Sequence, residues 1–219
     1  MRVKKIKNAT RENLELLDVI IIDNIYGKEI DYNPLINKIN GFINKGKYEN
    51  IIIEIGSGKG NFITNLAKDN PNNLYFAIEK DITTCYLLAS YIKTLNLSNL
   101  VCLNCDGLEL INIFSKETIS NIYLNFSDPW PKKSHNKRRL TYLTFLNLYY
   151  KLLKKGGLIS FRTDHLDFFN DSILYLEDSN LFDFITIDFD YPITKYMTEY
   201  EIRKRENFKI NNLICKKKE

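Results

Sequence analysis

Glu49-Asn-Ile-Ile-Ile-Glu-Ile55, followed directly by Gly56-Ser-Gly58-Lys-Gly60, is the stretch of sequence that decides the fold. A short apolar run closed by glycines is typical of a buried strand. The glycines permit a tight turn and a close approach of the backbone to a ligand. Apolar residues then recur at helical spacing over 61–68, so the whole stretch predicts a strand, a glycine loop and a helix.

This alternation of strand and helix continues along the chain. Six more strands are predicted at 73–79, 100–104, 119–125, 158–163, 182–189 and 208–215. Four more helices are predicted at 82–95, 108–114, 139–153 and 166–176. Repeated units of this length predict an α/β fold with a mostly parallel, seven-stranded sheet and helices on both faces.

Residues 1–48 do not follow the alternation and are predicted to form an appended helical arm, basic at its start. Residues 49–219 are then the main domain. With 219 residues and a net charge of +4, the chain is mildly basic, so the local clustering of charge says more than the total. No apolar run approaches the roughly 18 residues of a membrane span, and no apolar segment follows the basic N-terminus. We therefore expect a cytoplasmic protein without a membrane partner.

Cys102 and Cys105 form a CxxC pair that raises the question of a metal site. The pair lies in a predicted strand, where residues three apart point to opposite faces. No second CxxC or histidine pair completes a set of four ligands. We therefore interpret the cysteines as buried thiols and predict no metal.

Acidic residues occur at five successive strand ends. In such a sheet, ligands bind at the carboxyl ends of the strands. Each acid alone is explained by a helix cap or a solvated loop, but capping does not readily explain all five. The acids are Glu54, Glu79, Asp106, Asp128 and Asp164.

The glycine loop differs from a dinucleotide fingerprint, because its third glycine is Gly60 and residue 61 is Asn. The pattern E-x-G-x-G-x-G, with an acid ending the next strand, resembles the form found in class I S-adenosylmethionine methyltransferases. Glu54 suits the ammonium and sulfonium of that cofactor. Glu79 suits its ribose hydroxyls, and Asp106 suits its adenine amino group. An NAD-dependent oxidoreductase is the alternative for this loop.

After the fourth strand, Asp128-Pro-Trp-Pro131 leads into five cations within eight residues, from Lys132 to Arg139. Cations are disfavoured at the start of a helix, so this segment indicates an anionic partner. The sequence leaves open whether Trp130 stacks on a base or anchors the loop. The Asp-Pro-Trp order also leaves open an adenine-N6 methyltransferase. A further alternative is a non-catalytic RNA-binding subunit.

Over residues 51–208 the chain resembles the bacterial tRNA (guanine-46-N7)-methyltransferases. Five stretches carry the resemblance: Glu54-Ile-Gly-Ser-Gly-Lys-Gly60, Ile78-Glu79, Tyr123-Leu-Asn-Phe-Ser-Asp-Pro-Trp-Pro-Lys-Lys133 continuing to Tyr142, Phe161-Arg-Thr-Asp164 and Thr198-Glu-Tyr-Glu201. The resemblance implies a Rossmann-like class I methyltransferase that uses S-adenosyl-L-methionine. Its substrate would be tRNA, and its assembly a monomer or a homodimer.

The same resemblance implies roles for individual residues. The cofactor would be bound by Glu54, Gly56, Gly58, Glu79, Asp106 and Asp128, with Asp128 also catalytic. The substrate guanosine would be bound by Lys132, Asp164, Thr198, Glu199, Tyr200 and Glu201. The tRNA would be contacted by Ser134, His135, Asn136, Lys137, Arg138 and Arg139. Ser134 stands where relatives often carry a basic residue, and the first 48 residues match only at Met1-Arg-Val.

Overall fold

The computed structural model describes residues 6–22, 29–46 and 48–219. The basic start of the predicted arm, including Met1-Arg-Val, lies outside these residues. The chain divides into two compact units, Met1–Ser115 and Lys116–Glu219. The predicted arm belongs to the first unit, together with the first three strands of the predicted main domain.

The first unit is built on four parallel strands in the order β1-β4-β3-β2. Its strands are β1 (Ile20–Ile21), β2 (Asn50–Ile55), β3 (Asn73–Ile78) and β4 (Leu100–Asn104). Its helices are α1 (Arg11–Glu15), α2 (Asn33–Lys45), α3 (Asn61–Asp69), α4 (Ile82–Leu95) and α5 (Leu110–Ile113), with a 3₁₀ turn at Gly107–Glu109.

The second unit contains four strands in the order β5-β6-β8-β7. β5 and β6 are parallel, whereas β8 is antiparallel to both of its neighbours. Its strands are β5 (Ile119–Asn125), β6 (Leu153–Thr163), β7 (Phe182–Asp188) and β8 (Asn211–Lys217). Its helices are α6 (Leu143–Leu152), α7 (Leu166–Ser179) and α8 (Glu199–Lys204), with a 3₁₀ turn at Lys133–Arg138.

The core of each unit comes from its apolar strands. In the first unit Ile53 and Phe76 are fully buried, and in the second unit Ile122 and Phe161 are fully buried. Burying a side chain of this size contributes about 1.5–3 kcal/mol. These interiors fix the strand ends, from which the candidate site residues extend.

The predicted α/β class and its strands are confirmed, but some details differ. The helix α8 was not predicted, and β6 begins five residues earlier than expected. The described residues contain eight strands, because the two-residue β1 of the predicted arm pairs with Leu103 and Asn104. Leu14 and Ile39 of the same arm are fully buried, so this segment belongs to the core of its unit. The sixth helix begins only at Leu143, because a 3₁₀ turn takes up the basic segment before it. In the described part of the chain, no helix is long and apolar enough to cross a membrane.

Candidate active site

The glycine loop of the first unit has left-handed backbone at three positions. Gly56, Gly58 and Gly60 have φ of +78°, +56° and +86°. The first turn is fixed by N–H groups of Gly56 and Ser57, which donate to the Ile78 carbonyl at 2.8 and 3.0 Å. A Cβ added at Gly56 or Gly58 would meet no atom within 4 Å, so the loop presents open backbone there.

Glu79 holds the glycine loop from the end of β3. Its Oε2 accepts the Gly58 N–H at 3.0 Å, and its Oε1 accepts the Asp81 N–H at 2.9 Å. Burial raises the pKa of Glu79, and these two backbone donors oppose that rise. The carboxylate therefore contacts the glycine loop, and its remaining lone pairs can accept hydrogen bonds from a ligand hydroxyl.

Asp106 follows β4 and caps the 3₁₀ turn. It accepts the Leu108 N–H at 3.1 Å and a hydrogen bond from Lys80 Nζ at 2.6 Å. Burial favours its neutral form, but these two donors outweigh burial, so the pKa of Asp106 is lowered. Asp106 is therefore an ionised acceptor, partnered by a lysine that the sequence interpretation did not include.

Glu54 lies within β2, one residue before its end, and is 1% exposed. The adjoining loop is tied back to it by Ser57 Oγ, which donates to the Glu54 carbonyl at 3.0 Å. The structure thus places Glu54 inside the unit and next to the glycine loop.

The three acids extend from neighbouring parallel strands, since β4, β3 and β2 are adjacent in the first unit. Glu54, Glu79 and Asp106 therefore gather at one end of the strands beside the open loop. Three hydrogen-bond-accepting carboxylates suit a ligand with a cationic group, hydroxyls and an amino group. A pyrophosphate would instead prefer a loop free of nearby carboxylates, because its own charge is negative. The residues present thus fit the predicted sulfonium cofactor.

In the second unit, Asp128 lies on an irregular loop after β5. Phe126 and Trp130, on either side of it, have left-handed φ of +54° and +41°. Such backbone costs about 1–3 kcal/mol at a non-glycine residue and occurs preferentially at functional sites. The Phe126 N–H donates to the Arg162 carbonyl at 2.8 Å, and the Asp128 side chain is exposed.

Trp130 packs against the basic 3₁₀ turn. The His135 ring meets it edge-on with centroids 5.8 Å apart, and the Arg138 guanidinium lies 4.9 Å from the indole centroid. The indole is half-buried. These contacts give Trp130 an anchoring role in its own loop, while stacking on a base stays a prediction.

The predicted tRNA-contacting residues do not share one environment. Ser134, Lys137 and Arg138 are exposed, as is Lys132 before them. His135 and Asn136 are half-buried, and Asn136 Nδ2 donates to the Tyr175 hydroxyl at 3.0 Å. Arg139 is 4% exposed. The outward surface of the segment is therefore formed by residues 132–138.

A cleft of about 290 Å³ opens in the second unit beside Asp164 and Tyr200. The side chain of Asp164 is 8% exposed and ion-pairs with Lys204 Nζ at 3.1 Å. The Tyr200 hydroxyl donates to Asp164 Oδ2 at 3.2 Å. The structure thus brings together two predicted substrate residues that are 36 positions apart in sequence. The lining residues are Asp164, His165, Leu166, Asp167, Tyr200, Lys204 and Phe208.

The predicted substrate segment from Thr198 to Glu201 has one residue in the cleft. Thr198 Oγ1 caps α8 by accepting the Glu201 N–H at 2.9 Å, and Glu199 is exposed. Glu201 is 0% exposed and forms ion pairs with Arg162 at 3.2 Å and Arg205 at 2.6 Å. Among these four residues, only Tyr200 lines the cleft.

The sequence interpretation missed Lys204 and Phe208 as cleft residues. The Lys204 ammonium lies 5.2 Å from the Tyr200 ring centroid and 4.5 Å from that of Phe208. The pKa of Lys204 is raised by its hydrogen bonds to Asp164 and Tyr200. The available signal for Lys204 was its position four residues after Tyr200, since residues at that spacing share a helix face. Phe208 lies beyond the end of α8, and its position gave no such signal.

The four cysteines are all buried free thiols, and Cys85 Sγ lies 3.4 Å from Cys102 Sγ. Burial and the neighbouring thiol raise the pKa of Cys102, the hydrogen bond with Cys85 being the larger cause. Across the described ranges, no group of three or more histidine, cysteine or acidic side chains could hold a metal ion.

The fold and the acid-lined glycine loop define a Rossmann-like methyltransferase. A solved methyltransferase described as antibiotic-related matches 86% of this chain and 96% of its own, with a TM-score of 0.63 and 17% identity. A family profile described as "Putative methyltransferase" matches residues 48–211. The chain belongs to this family, and within it to the bacterial tRNA (guanine-N(7)-)-methyltransferases.

Two relatives of that name show the extent of the similarity. The protein of Malacoplasma penetrans is 41% identical over 195 residues, which are 84% of this chain and 87% of the relative. The protein of Staphylococcus haemolyticus is 49% identical over 127 residues, covering 58% of this chain and 59% of the relative. This second match therefore spans less than two thirds of the relative's length.

Proposed function

We propose that this protein transfers the methyl group of S-adenosyl-L-methionine to N7 of a guanosine in tRNA, giving 7-methylguanosine. The proposed target is guanosine 46 of the variable loop, and the proposed place of action is the cytoplasm. The observation that carries the substrate side is the cleft in which Asp164, Tyr200 and Lys204 face one another. The relatives' names support the same reaction.

The first unit is proposed to bind the cofactor, which supplies an electrophilic methyl group on a sulfonium when bound. Glu79 accepts the ribose hydroxyls from its place against the Gly58 N–H. Asp106 accepts from the adenine amino group, and Glu54 provides negative charge near the cationic part. The open backbone at Gly56 and Gly58 allows the ligand to approach closely.

The second unit is proposed to bind the guanosine. N7 of guanine already carries a lone pair, so no general base has to remove a proton. Positioning of the base is then the main contribution, and well-oriented reactants gain about 7–11 kcal/mol over free ones. Asp164 accepts from the N1–H and N2–H groups of guanine. Asp128 stabilises the positive charge that develops on the ring.

The exposed face of residues 132–138 is proposed to bind the tRNA backbone. Lys132, Lys137 and Arg138 point to solvent and can neutralise phosphates. Each neutralised phosphate steepens the fall of affinity with salt, so binding should weaken strongly between low and physiological ionic strength. Thr198 and Glu199 are also proposed to bind the guanosine.

The test is incubation with labelled S-adenosylmethionine and bulk tRNA, followed by nucleoside analysis. We expect label in 7-methylguanosine, and its loss from a transcript that carries adenosine at position 46. Label in N6-methyladenosine would refute the guanine assignment and favour the adenine alternative. Loss of activity in Asp128→Ala, with unchanged thermal unfolding, would support the catalytic assignment. Asp183→Ala, an exposed acid on β7, is the matched control.

A further inference from the structure

We propose that Arg139 is a positioning residue that fixes the loop carrying Asp128, and not a phosphate contact. Its catalytic consequence rests on the proposed function, whereas its effect on the loop does not. Arg139 ends a run of cations whose other members are exposed, yet it is 4% exposed itself. The burial of Arg139 is the first observation that favours a positioning role over a phosphate contact.

One side of the Arg139 guanidinium binds the loop that carries Asp128. Its Nε donates to the Pro129 carbonyl at 2.7 Å, and its Nη2 donates to the Trp130 carbonyl at 3.4 Å. Pro129 directly follows Asp128 and has its φ fixed by the ring. Holding the Pro129 carbonyl therefore holds the backbone from which the Asp128 side chain extends.

The other side of the same guanidinium is bound to α7. Its Nη1 donates to Asp171 Oδ2 at 2.6 Å and to the Tyr175 hydroxyl at 3.0 Å. The carbon of the guanidinium lies 5.1 Å from the centroid of the Phe168 ring, which is itself 1% exposed. Arg139 thus joins the loop to a packed helix through four hydrogen bonds and a ring contact.

This arrangement supplies what a strained loop requires. The left-handed backbone of Trp130 persists only when its surroundings determine it strongly. Hydrogen bonds from a charged donor are about twice as strong as neutral ones. Binding an external phosphate would require Arg139 to break its bonds to Asp171 and to the two loop carbonyls. Arg138 provides the contrast, since it is exposed and its guanidinium lies over the indole ring.

Trp130 is the single tryptophan of the chain, so its fluorescence reports on the loop without any catalytic assay. The experiment compares Arg139→Lys and Arg139→Gln with the wild type. It measures acrylamide quenching of Trp130, kcat with saturating tRNA, and the salt dependence of tRNA binding. Asp171→Asn weakens the contact of Arg139 with α7, because it removes the charge of the carboxylate that accepts from Nη1, without touching the loop. Lys155→Ala, an exposed lysine paired with Glu219, is the control.

We expect quenching of Trp130 to rise in all three variants, and kcat to fall about 100-fold because a small misplacement has that cost. Arg139→Lys keeps the charge but loses the planar fork, so it should resemble Arg139→Gln. The slope of log affinity against log salt should stay that of the wild type.

The opposite pattern overturns the proposal. It consists of unchanged quenching, near-normal behaviour of Arg139→Lys, and a salt slope that falls by about one in Arg139→Gln. If Arg139→Gln does not fold, Arg139→Lys and Asp171→Asn decide the question. If the wild type methylates no tRNA, the proposed function fails, while quenching still decides whether Arg139 holds the loop.

Discussion

Replacing Glu201 by glutamine tests whether the Thr198–Glu201 segment is held by a buried ion triad. Glu201 is 0% exposed, and its two oxygens accept from Arg162 and Arg205, which are 9% and 14% exposed. The change keeps the shape of the side chain and removes its charge. It leaves two nearly buried guanidiniums facing a neutral group.

The expected loss in the free energy of unfolding depends on the hydrogen bonds that the two arginines retain. Removing one partner of a buried ion pair costs about 3–5 kcal/mol, because the remaining charge stays buried. Arg162 retains the Tyr196 carbonyl at 3.0 Å, and Arg205 retains the Tyr191 carbonyl at 2.8 Å. These bonds offset part of the cost, so we expect about 3 kcal/mol. With a urea dependence of about 3 kcal/mol per molar, the midpoint should fall by about 1 M.

Urea unfolding followed by Trp130 fluorescence is the assay, since Trp130 lies in the same unit as Glu201. Glu206→Gln is the matched control, because Glu206 is exposed two residues beyond α8. It should change stability by less than about 0.5 kcal/mol. The double variant Glu201→Met with Arg205→Met should lose less than the sum of its two single changes. An unfolding midpoint for Glu201→Gln equal to that of Glu206→Gln would refute the reasoning.

Four further predictions concern Glu79, two glycines and the basic face. Burial raises the pKa of Glu79 in the folded protein above the ordinary value of 4.5. The protonated carboxyl group therefore stabilises the fold below pH 4.5, and this stabilisation is lost as the pH rises through the raised pKa. In the proposed role of Glu79, cofactor binding uses the ionised form, so the affinity measured by calorimetry should fall as the pH is lowered towards 4.5, and Glu79→Gln should remove this dependence. Gly60→Ala should cost at least about 2 kcal/mol by thermal unfolding, because its Cβ would clash with Leu88 Cδ1 at a position whose φ is +86°. Gly41→Ala, with open space inside α2, should instead stabilise by about 0.5–1 kcal/mol. Arg138→Ala should reduce the salt slope of tRNA binding by about one, and an unchanged slope would remove Arg138 from the phosphate-binding surface.

The strands could be predicted because each is a short apolar run bounded by polar or glycine residues. All seven predicted strands occur, and β2 needs little more than its own isoleucines to be identified. The two-residue β1 could not be predicted, because two residues show no periodicity and its partner β4 lies about 80 positions later. Long-range packing also buries Leu14 and Ile39. Because the sequence does not show such packing, residues 1–48 were predicted to be a separate arm.

The gathering of the acids could be predicted because parallel neighbours end at the same edge. Glu79, which follows β3, lies beside Gly58, which follows the neighbouring β2, as this reasoning expects. Their immediate partners could not be predicted, since the Lys80–Asp106 and Lys204–Asp164 pairs depend on rotamers and loop geometry.

The sequence does not show which charged side chains of a motif are buried and which are exposed. In Lys137-Arg138-Arg139 the first two side chains are exposed and the third is buried, although all three carry the same charge. In Thr198-Glu-Tyr-Glu201 one acid is exposed and the other is fully buried between two arginines. An inward residue that holds a segment and an outward neighbour that binds a ligand are both expected to lower the same activity when they are substituted. Loss of methylation alone therefore cannot assign a role to Arg139 or Glu201. Only readouts of charge and of loop order, such as the salt slope and Trp130 quenching, separate the residues that bind a ligand from those that hold the loop.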